Sequence, residues 1–234
     1  MSCVLVWNLS QSRKKQRNVP IRFFFVSLHN MKTLVFATNN KHKLQEVSQM
    51  LNGVVEIKSL ADMGLEGDIP ETADTLQGNA LQKAQWVWER THMDCFADDT
   101  GLEVEALNGA PGVYSARYAG EHCSFDDNID KLLAALDGNT NRKADFRTVI
   151  CLIEQGVPRY FEGRVDGVIL TERYGSEGFG YDPVFMPDHF AVSFAEMPLE
   201  VKNQISHRGL AVKQLTGYLK DNSQSSILNS QFSK

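Results

Sequence analysis

Residues 144–170 read ADFRTVICLIEQGVPRYFEGRVDGVIL. Two long β-rich runs, Ala144 to Glu154 and Arg159 to Leu170, flank Gln155-Gly156-Val157-Pro158, which reads as a turn. Upstream, shorter elements alternate. Thr33 to Ala37 is an apolar run with β-branched residues and predicts a strand. Lys43 to Leu51 has helical spacing, with Leu44, Val47 and Leu51 on one face, and Asn39 or Asn40 can cap it. Val54 to Ile57 predicts a strand, and Thr75 to Thr91 predicts a helix with Leu76, Ala80, Ala84, Val87 and Trp88 on its apolar face. Cys95 to Ala97 and Leu102 to Ala106 predict two short strands, and Phe125 to Leu136 a helix stopped near Gly138. Downstream come a Gly-rich loop at Gly175 to Gly180, a short strand at Val192 to Phe194, and a final helix within Val201 to Leu219, starting near Ser206 or Arg208. Strands alternating with helices around a pair of long strands predict an α/β fold: a mixed central sheet flanked by helices, with two lobes around a cleft.

The 234 residues suit one large domain, 42% hydrophobic as in ordinary globular proteins. The net charge of -5 argues against general nucleic-acid coating, which needs a basic face. It leaves room for a small phosphorylated ligand held by a local basic cluster. No apolar run is long enough to span a bilayer, so no membrane partner is expected. Cys3, Cys95, Cys123 and Cys151 form no CxxC pair and read as free thiols of a reducing compartment, which points to the cytoplasm.

Residues 1–30 differ in composition, with Arg13, Lys14, Lys15, Arg17 and Arg22 and no acidic residue. A transit peptide, a secretory signal and an over-long gene start compete. Met31, directly before the first clear strand, favours the last. The expected organisation is an extension at 1–30, one domain at 31–220, and a frayed Ser-, Asn- and Gln-rich tail at 221–234.

Four segments carry candidate chemistry. Thr38-Asn39-Asn40-Lys41-His42-Lys43 sits at a strand-to-helix junction, where free backbone N–H groups, a hydroxyl and two lysines can cradle an anion. The same residues would serve a capped surface helix. They lack the glycines of a P-loop, and no GxGxxG follows the first strand. Ala97-Asp98-Asp99-Thr100-Gly101 places two carboxylates side by side, natural company for Mg²⁺ and a possible general base, or else an acidic turn. Gly178-Phe179-Gly180-Tyr181-Asp182-Pro183 can expose a ring for stacking on a purine, or plug the core with its aromatics. Ser206-His207-Arg208-Gly209, with Lys202 upstream, gathers donors suited to the O6 and N7 acceptors of a 6-keto purine, or is a capped helix start. Ser206 next to His207 is not a nucleophile triad.

In this order, and with Pro111-Gly112-Val113-Tyr114-Ser115-Ala116-Arg117-Tyr118, these segments resemble the inosine triphosphate pyrophosphatase family of noncanonical purine nucleotide pyrophosphatases, from about Met31 to Leu219. The resemblance implies hydrolysis of ITP, dITP and XTP to the monophosphate and pyrophosphate, with Mg²⁺, by a homodimer. It implies that Thr38, Asn39, Asn40, Lys41, His42 and Lys43 hold the triphosphate. Asp99 would be the catalytic acceptor and a metal ligand, with Glu71 and Asp98 completing the acidic cluster. Thr100 would touch substrate, and Asn79 and Lys83 would face metal and phosphates. Phe179 would stack on the base, Gly180, Tyr181 and Asp182 would shape its pocket, and Lys202, His207 and Arg208 would contact the base edge and nearby phosphate. One departure is Gly78, where family members often carry Glu before the Asn. The related septum-protein-like pyrophosphatases of modified pyrimidine nucleotides fit the last two segments poorly. A nucleotide sensor without hydrolysis has only Gly78 in its favour.

Overall fold

The computed structural model describes residues 31–231, with side chains as far as residue 222; the expected extension at 1–30 lies outside the described residues. In chain order the elements are β1 (Thr33–Phe36), α1 (Lys41–Met50), β2 (Glu56–Lys58), α2 (Leu76–Thr91), β3 (Cys95–Val104), β4 (Pro111–Gly112), α3 (Phe125–Ala135), β5 (Lys143–Glu154), β6 (Val157–Ile169), β7 (Phe185–Pro187), α4 (Leu199–Ile205) and α5 (His207–Gln231). The strands form one sheet in the order β2-β1-β3-β5-β6-β7, with β4 on β3. β1 runs parallel to β2 and β3. The pairs β3–β5, β5–β6 and β6–β7 are antiparallel. The α/β fold with a mixed sheet is therefore as expected.

The β5–β6 hairpin turns on Gln155-Gly156 alone, both with positive φ (50° and 83°). That suits a type I′ turn, whose twist matches the strands, so β6 already begins at Val157. The two short strands read from 95–97 and 102–106 are one ten-residue strand, β3. Asp-Asp-Thr-Gly has local turn chemistry, but pairing with β5 along the whole length of β3 overrides it. Residues 194–196 form a 3₁₀ turn rather than a strand, and the third antiparallel neighbour is β7. α5 continues through 221–231, where no Gly or Pro interrupts it.

Alternation along the strands divides the core. Leu34, Phe36, Phe96, Ile150 and Leu152 pack with Val47 of α1 and Ala211 and Leu215 of α5. Their odd-numbered neighbours Val35, Cys95, Ala97, Cys151 and Ile153 pack with Ala80, Ala84 and Val87 of α2. A third cluster, at the far end of β3 and β5, joins Leu102, Val104 and Phe146 to Ile129, Leu132 and Leu136 of α3 and to Tyr181 and Phe185. Three apolar layers thus make two lobes on one sheet.

The opening between them follows from the pairing of β3. One of its edges meets β1 only at Cys95 and Phe96, and β4 only at Leu102 and Glu103. Residues 98–101 have no strand on that edge, while the opposite edge is fully paired to β5. A cleft at the carboxyl end of parallel strands, where neighbouring strands diverge, is the usual ligand position in open α/β sheets.

Candidate active site

The cleft has a volume of about 780 Å³ and is lined by residues from both lobes. At one end of the cleft, Asn40 caps α1: its side-chain oxygen accepts N–H bonds from His42 (2.9 Å) and Lys43 (3.1 Å). The Thr38 hydroxyl accepts the Asn40 N–H at 3.1 Å. Thr38, Asn39, Asn40 and Lys43 line the cleft; Lys41 is exposed and outside the lining. His42 turns to the 178–183 loop, its ring stacked 5.2 Å from that of Phe179.

The two adjacent carboxylates separate, because successive strand side chains point to opposite faces. Asp99 faces α2 and lines the cleft. It accepts from Asn79 Nδ2 at 3.2 Å and from Lys83 Nζ at 2.8 Å. The same Lys83 ammonium donates to Glu71 at 2.5 Å, so two carboxylates converge on one lysine at the cleft wall. Burial works against the Lys83 charge, but Asp99, Glu71 and Asp98 outweigh it and raise its pKa. Asp98, on the other face, is 1% exposed, with one oxygen on Lys43 (3.1 Å) and the other on Arg208 Nε (3.0 Å). It does not line the cleft with Asp99 and Glu71 as the expected acidic cluster required; it is the buried counter-ion of two cations. Burial opposes its ionisation, yet Lys43, Arg208 and Lys83 hold the Asp98 carboxyl well below the usual carboxylate range.

The other end is built on the α4–α5 junction. Ser206 ends α4, and its hydroxyl accepts the Gly209 N–H at 3.1 Å, which caps the next helix. Lys202, His207 and Arg208 all line the cleft and are 3%, 3% and 2% exposed. Arg208 donates through Nε to Asp98, through one terminal nitrogen to Glu46 (2.7 Å), and through the other to Thr100 Oγ1 (3.1 Å). One N–H remains on each terminal nitrogen for a ligand. Lys202 bridges Glu46 (2.9 Å) and Asp182 (2.7 Å), and the same Asp182 oxygen accepts the Phe179 N–H at 2.7 Å. His207 stacks on Phe146, with ring centroids 4.5 Å apart, and its Nδ1 has no hydrogen-bond partner. Burial, then Arg208 and Lys202, lowers its pKa well below the ordinary value, so the imidazole is neutral.

The aromatic loop divides its roles. Phe179 is half-buried and lines the cleft; Tyr181 is 4% exposed, joins the third core cluster and donates to the Ser115 carbonyl at 3.0 Å. The loop thus puts the half-buried Phe179 in the cleft lining and buries Tyr181, which joins the core and also borders the cleft. Thr100 shares a 2.6 Å hydroxyl contact with Thr148.

Two contributors carried no role in the sequence reading. Glu46 joins Lys202 to Arg208 from α1; the available signal was an acidic residue three positions after Lys43, on the same helical face. Arg117 lines the cleft and donates to the Glu71 carbonyl at 3.3 Å.

Among the described residues no group of three or more His, Cys, Asp or Glu forms a ready metal cage. Asp99 and Glu71 nevertheless suit Mg²⁺, which takes one or two carboxylates and completes its shell with water and phosphate oxygens. No helix among the described residues is long and apolar enough to cross a membrane.

Comparison with known proteins agrees with this geometry. A curated relative from Porphyromonas gingivalis, named dITP/XTP pyrophosphatase, is 60% identical over 190 residues, 81% of this chain and 98% of its own length. One of the same name from Flavobacterium johnsoniae is 55% identical over 186 residues, 80% of this chain and 97% of its own. Among solved structures, the Ham1 protein of Staphylococcus aureus superposes with a TM-score of 0.74 at 38% identity, over 82% of this chain and all of that one. A HAM1 protein from Coxiella burnetii gives 0.76 at 37% identity with the same coverage. The model of the Ham1 family matches residues 34–218, and the chain belongs to that family.

Proposed function

We propose that this cleft hydrolyses ITP, dITP and XTP to the monophosphate and pyrophosphate with Mg²⁺, and so removes these nucleotides before a polymerase uses them. The observation that carries the reading is the place of Asp99. It stands at the open edge of β3, between a basic helix start and a ring-and-donor pocket. The curated relatives' name, dITP/XTP pyrophosphatase, supports the same substrate class.

The chain's own groups divide the work. Thr38, Asn39, Asn40 and Lys43 hold the triphosphate at the α1 N-terminus, where the helix dipole favours anions. Lys43, Lys83 and Arg117 neutralise charge on the phosphate oxygens. Asp99 orients the attacking water and takes its proton, while the anhydride bond to the departing pyrophosphate breaks. Asn79 and Lys83 fix the Asp99 carboxylate during that transfer. Asp99 and Glu71 would hold Mg²⁺, which supplies positive charge to the phosphate oxygens. Phe179 stacks on the purine. Lys202, His207 and Arg208 meet its edge, and buried donors left unmatched by adenine select the 6-keto base.

A cytoplasmic homodimer completes the reading. The described cysteines are free thiols, as in a reducing compartment. Tyr114, 57% exposed, and the partly buried Val113 and Tyr118 offer an apolar and aromatic surface for a second copy. Pyrophosphate release from dITP by the purified protein, with and without Mg²⁺, tests the activity; no release under either condition refutes it.

A further inference from the structure

The segment that carries Glu71 has no regular secondary structure, yet it is fastened to α2 residue by residue. The Asn79 side-chain oxygen accepts the Ala73 N–H at 2.9 Å. Gln82 grips Thr72 twice: its carbonyl oxygen accepts the Thr72 N–H at 2.9 Å, and its amide donates to the Thr72 hydroxyl at 2.8 Å. Lys83 donates to the Glu71 carboxylate at 2.5 Å. Positions 79, 82 and 83 share one helical face, because residues three and four apart are neighbours there. Running along that face they hold residues 73, 72 and 71 in turn.

The packing beneath this clamp explains Gly78. A Cβ at position 78 would lie 2.6 Å from Ala73 Cβ and 3.0 Å from Thr75 Oγ1. No flexible side-chain end can yield there, so any larger residue must push the 71–75 segment away from α2.

We propose that Gln82 is a positioning residue that sets Glu71 for the metal through Thr72, and that Gly78 is required for the same placement. A glutamate at 78 would therefore not supply a missing ligand; it would displace the one already present. The proposal rests on the reading of Glu71 as a metal ligand. Two carboxylates make a modest site, and groups that orient metal ligands typically change metal affinity by about 10- to 100-fold.

Full-length protein carrying Gln82→Ala, Gln82→Glu or Gly78→Glu is compared with wild type in two ways. One is Mn²⁺ binding without nucleotide, followed by the EPR signal of the free ion. The other is the Mg²⁺ concentration giving half-maximal dITP hydrolysis. Gln82→Ala and Gly78→Glu should each raise both values about tenfold or more. For Gln82→Ala, kcat at saturating Mg²⁺ and metal-free dITP affinity should stay near wild type. Gln82→Glu keeps an acceptor for the Thr72 N–H and should restore most of the metal affinity. Unchanged metal dependence in Gln82→Ala, tighter metal binding in Gly78→Glu, or a parallel fall of kcat, dITP binding and melting temperature would overturn the proposal. A wild-type enzyme that hydrolyses dITP without any divalent cation would remove its premise as well, which separates the two failures.

Discussion

Two neighbouring aspartates have opposite duties because a strand points them to opposite faces. Asp99 reaches the cleft, whereas Asp98 is sealed between Lys43 and Arg208. Asp99→Asn should lower kcat for dITP by about 10³-fold, the range of a positioned general base, while calorimetric binding of dITP stays within a few-fold of wild type. Retained turnover would take Asp99 out of the reaction. Asp98→Asn should instead act on stability. It leaves Lys43 without its carboxylate partner and the buried Arg208 with Glu46 alone, and should cost about 3–5 kcal/mol in urea unfolding at pH 7. The folded state holds the Asp98 carboxyl below its unfolded value of about 3.9, so its stabilisation is complete above that pH and drains as pH falls toward the folded value. Wild type should accordingly lose its advantage over Asp98→Asn on going from pH 5 toward pH 2 (about two units below the unfolded value), with the gap in urea midpoints narrowing. A constant gap would mean that the Asp98 charge is not what the fold uses.

At the scale of elements, helix α5 brings His207 and Arg208 to the cleft by lying directly on β6. A Cβ on Gly163 of β6 would stand 2.0 Å from the His207 carbonyl oxygen and 2.6 Å from the Ala211 nitrogen. Gly163→Ala should cost about 1–3 kcal/mol in thermal or urea unfolding, as overpacking does, and should raise KM for dITP by moving the base-edge donors. Stability and KM both unchanged would show that the junction is softer than the contacts imply. The elements legible in the sequence were those with a long period. The β5–β6 pair, the helix α2 and the start of α5 near Ser206 follow from pattern and caps, whereas the short α4 before it does not. In the sequence β3 looks like two strands, because Asp98-Asp99-Thr100-Gly101 has the chemistry of a turn until β5 pairs with it. Glu46 and Gln82 are hard to place for a related reason. Their partners, Lys202, Arg208 and Thr72, lie in other segments; the spacing of Glu46 from Lys43 is a weak local sign, and Gln82 has none. The four motifs are readable as a set, whereas the placement inside them, such as the half-buried Phe179 beside the fully packed Tyr181, depends on tertiary packing.

Across the whole molecule, a chain of net charge -5 concentrates lysines and arginines of four helices and loops around one gap in its sheet. The gap exists because β3 outruns β1 on one side and meets β4 only beyond residue 101. Both lobes contribute, with the start of α1, Asp99 and the ring of Phe179 all in one lining. In the proposed reading, triphosphate binding and base choice share that single opening. The most direct test is the rate of pyrophosphate release with Mg²⁺ from dITP, XTP, dATP, dGTP and dTTP under identical conditions. Fast release from dITP and XTP, with the other three slower by orders of magnitude, is the predicted result. Comparable release from dATP, or tight dITP binding without any pyrophosphate, would contradict it.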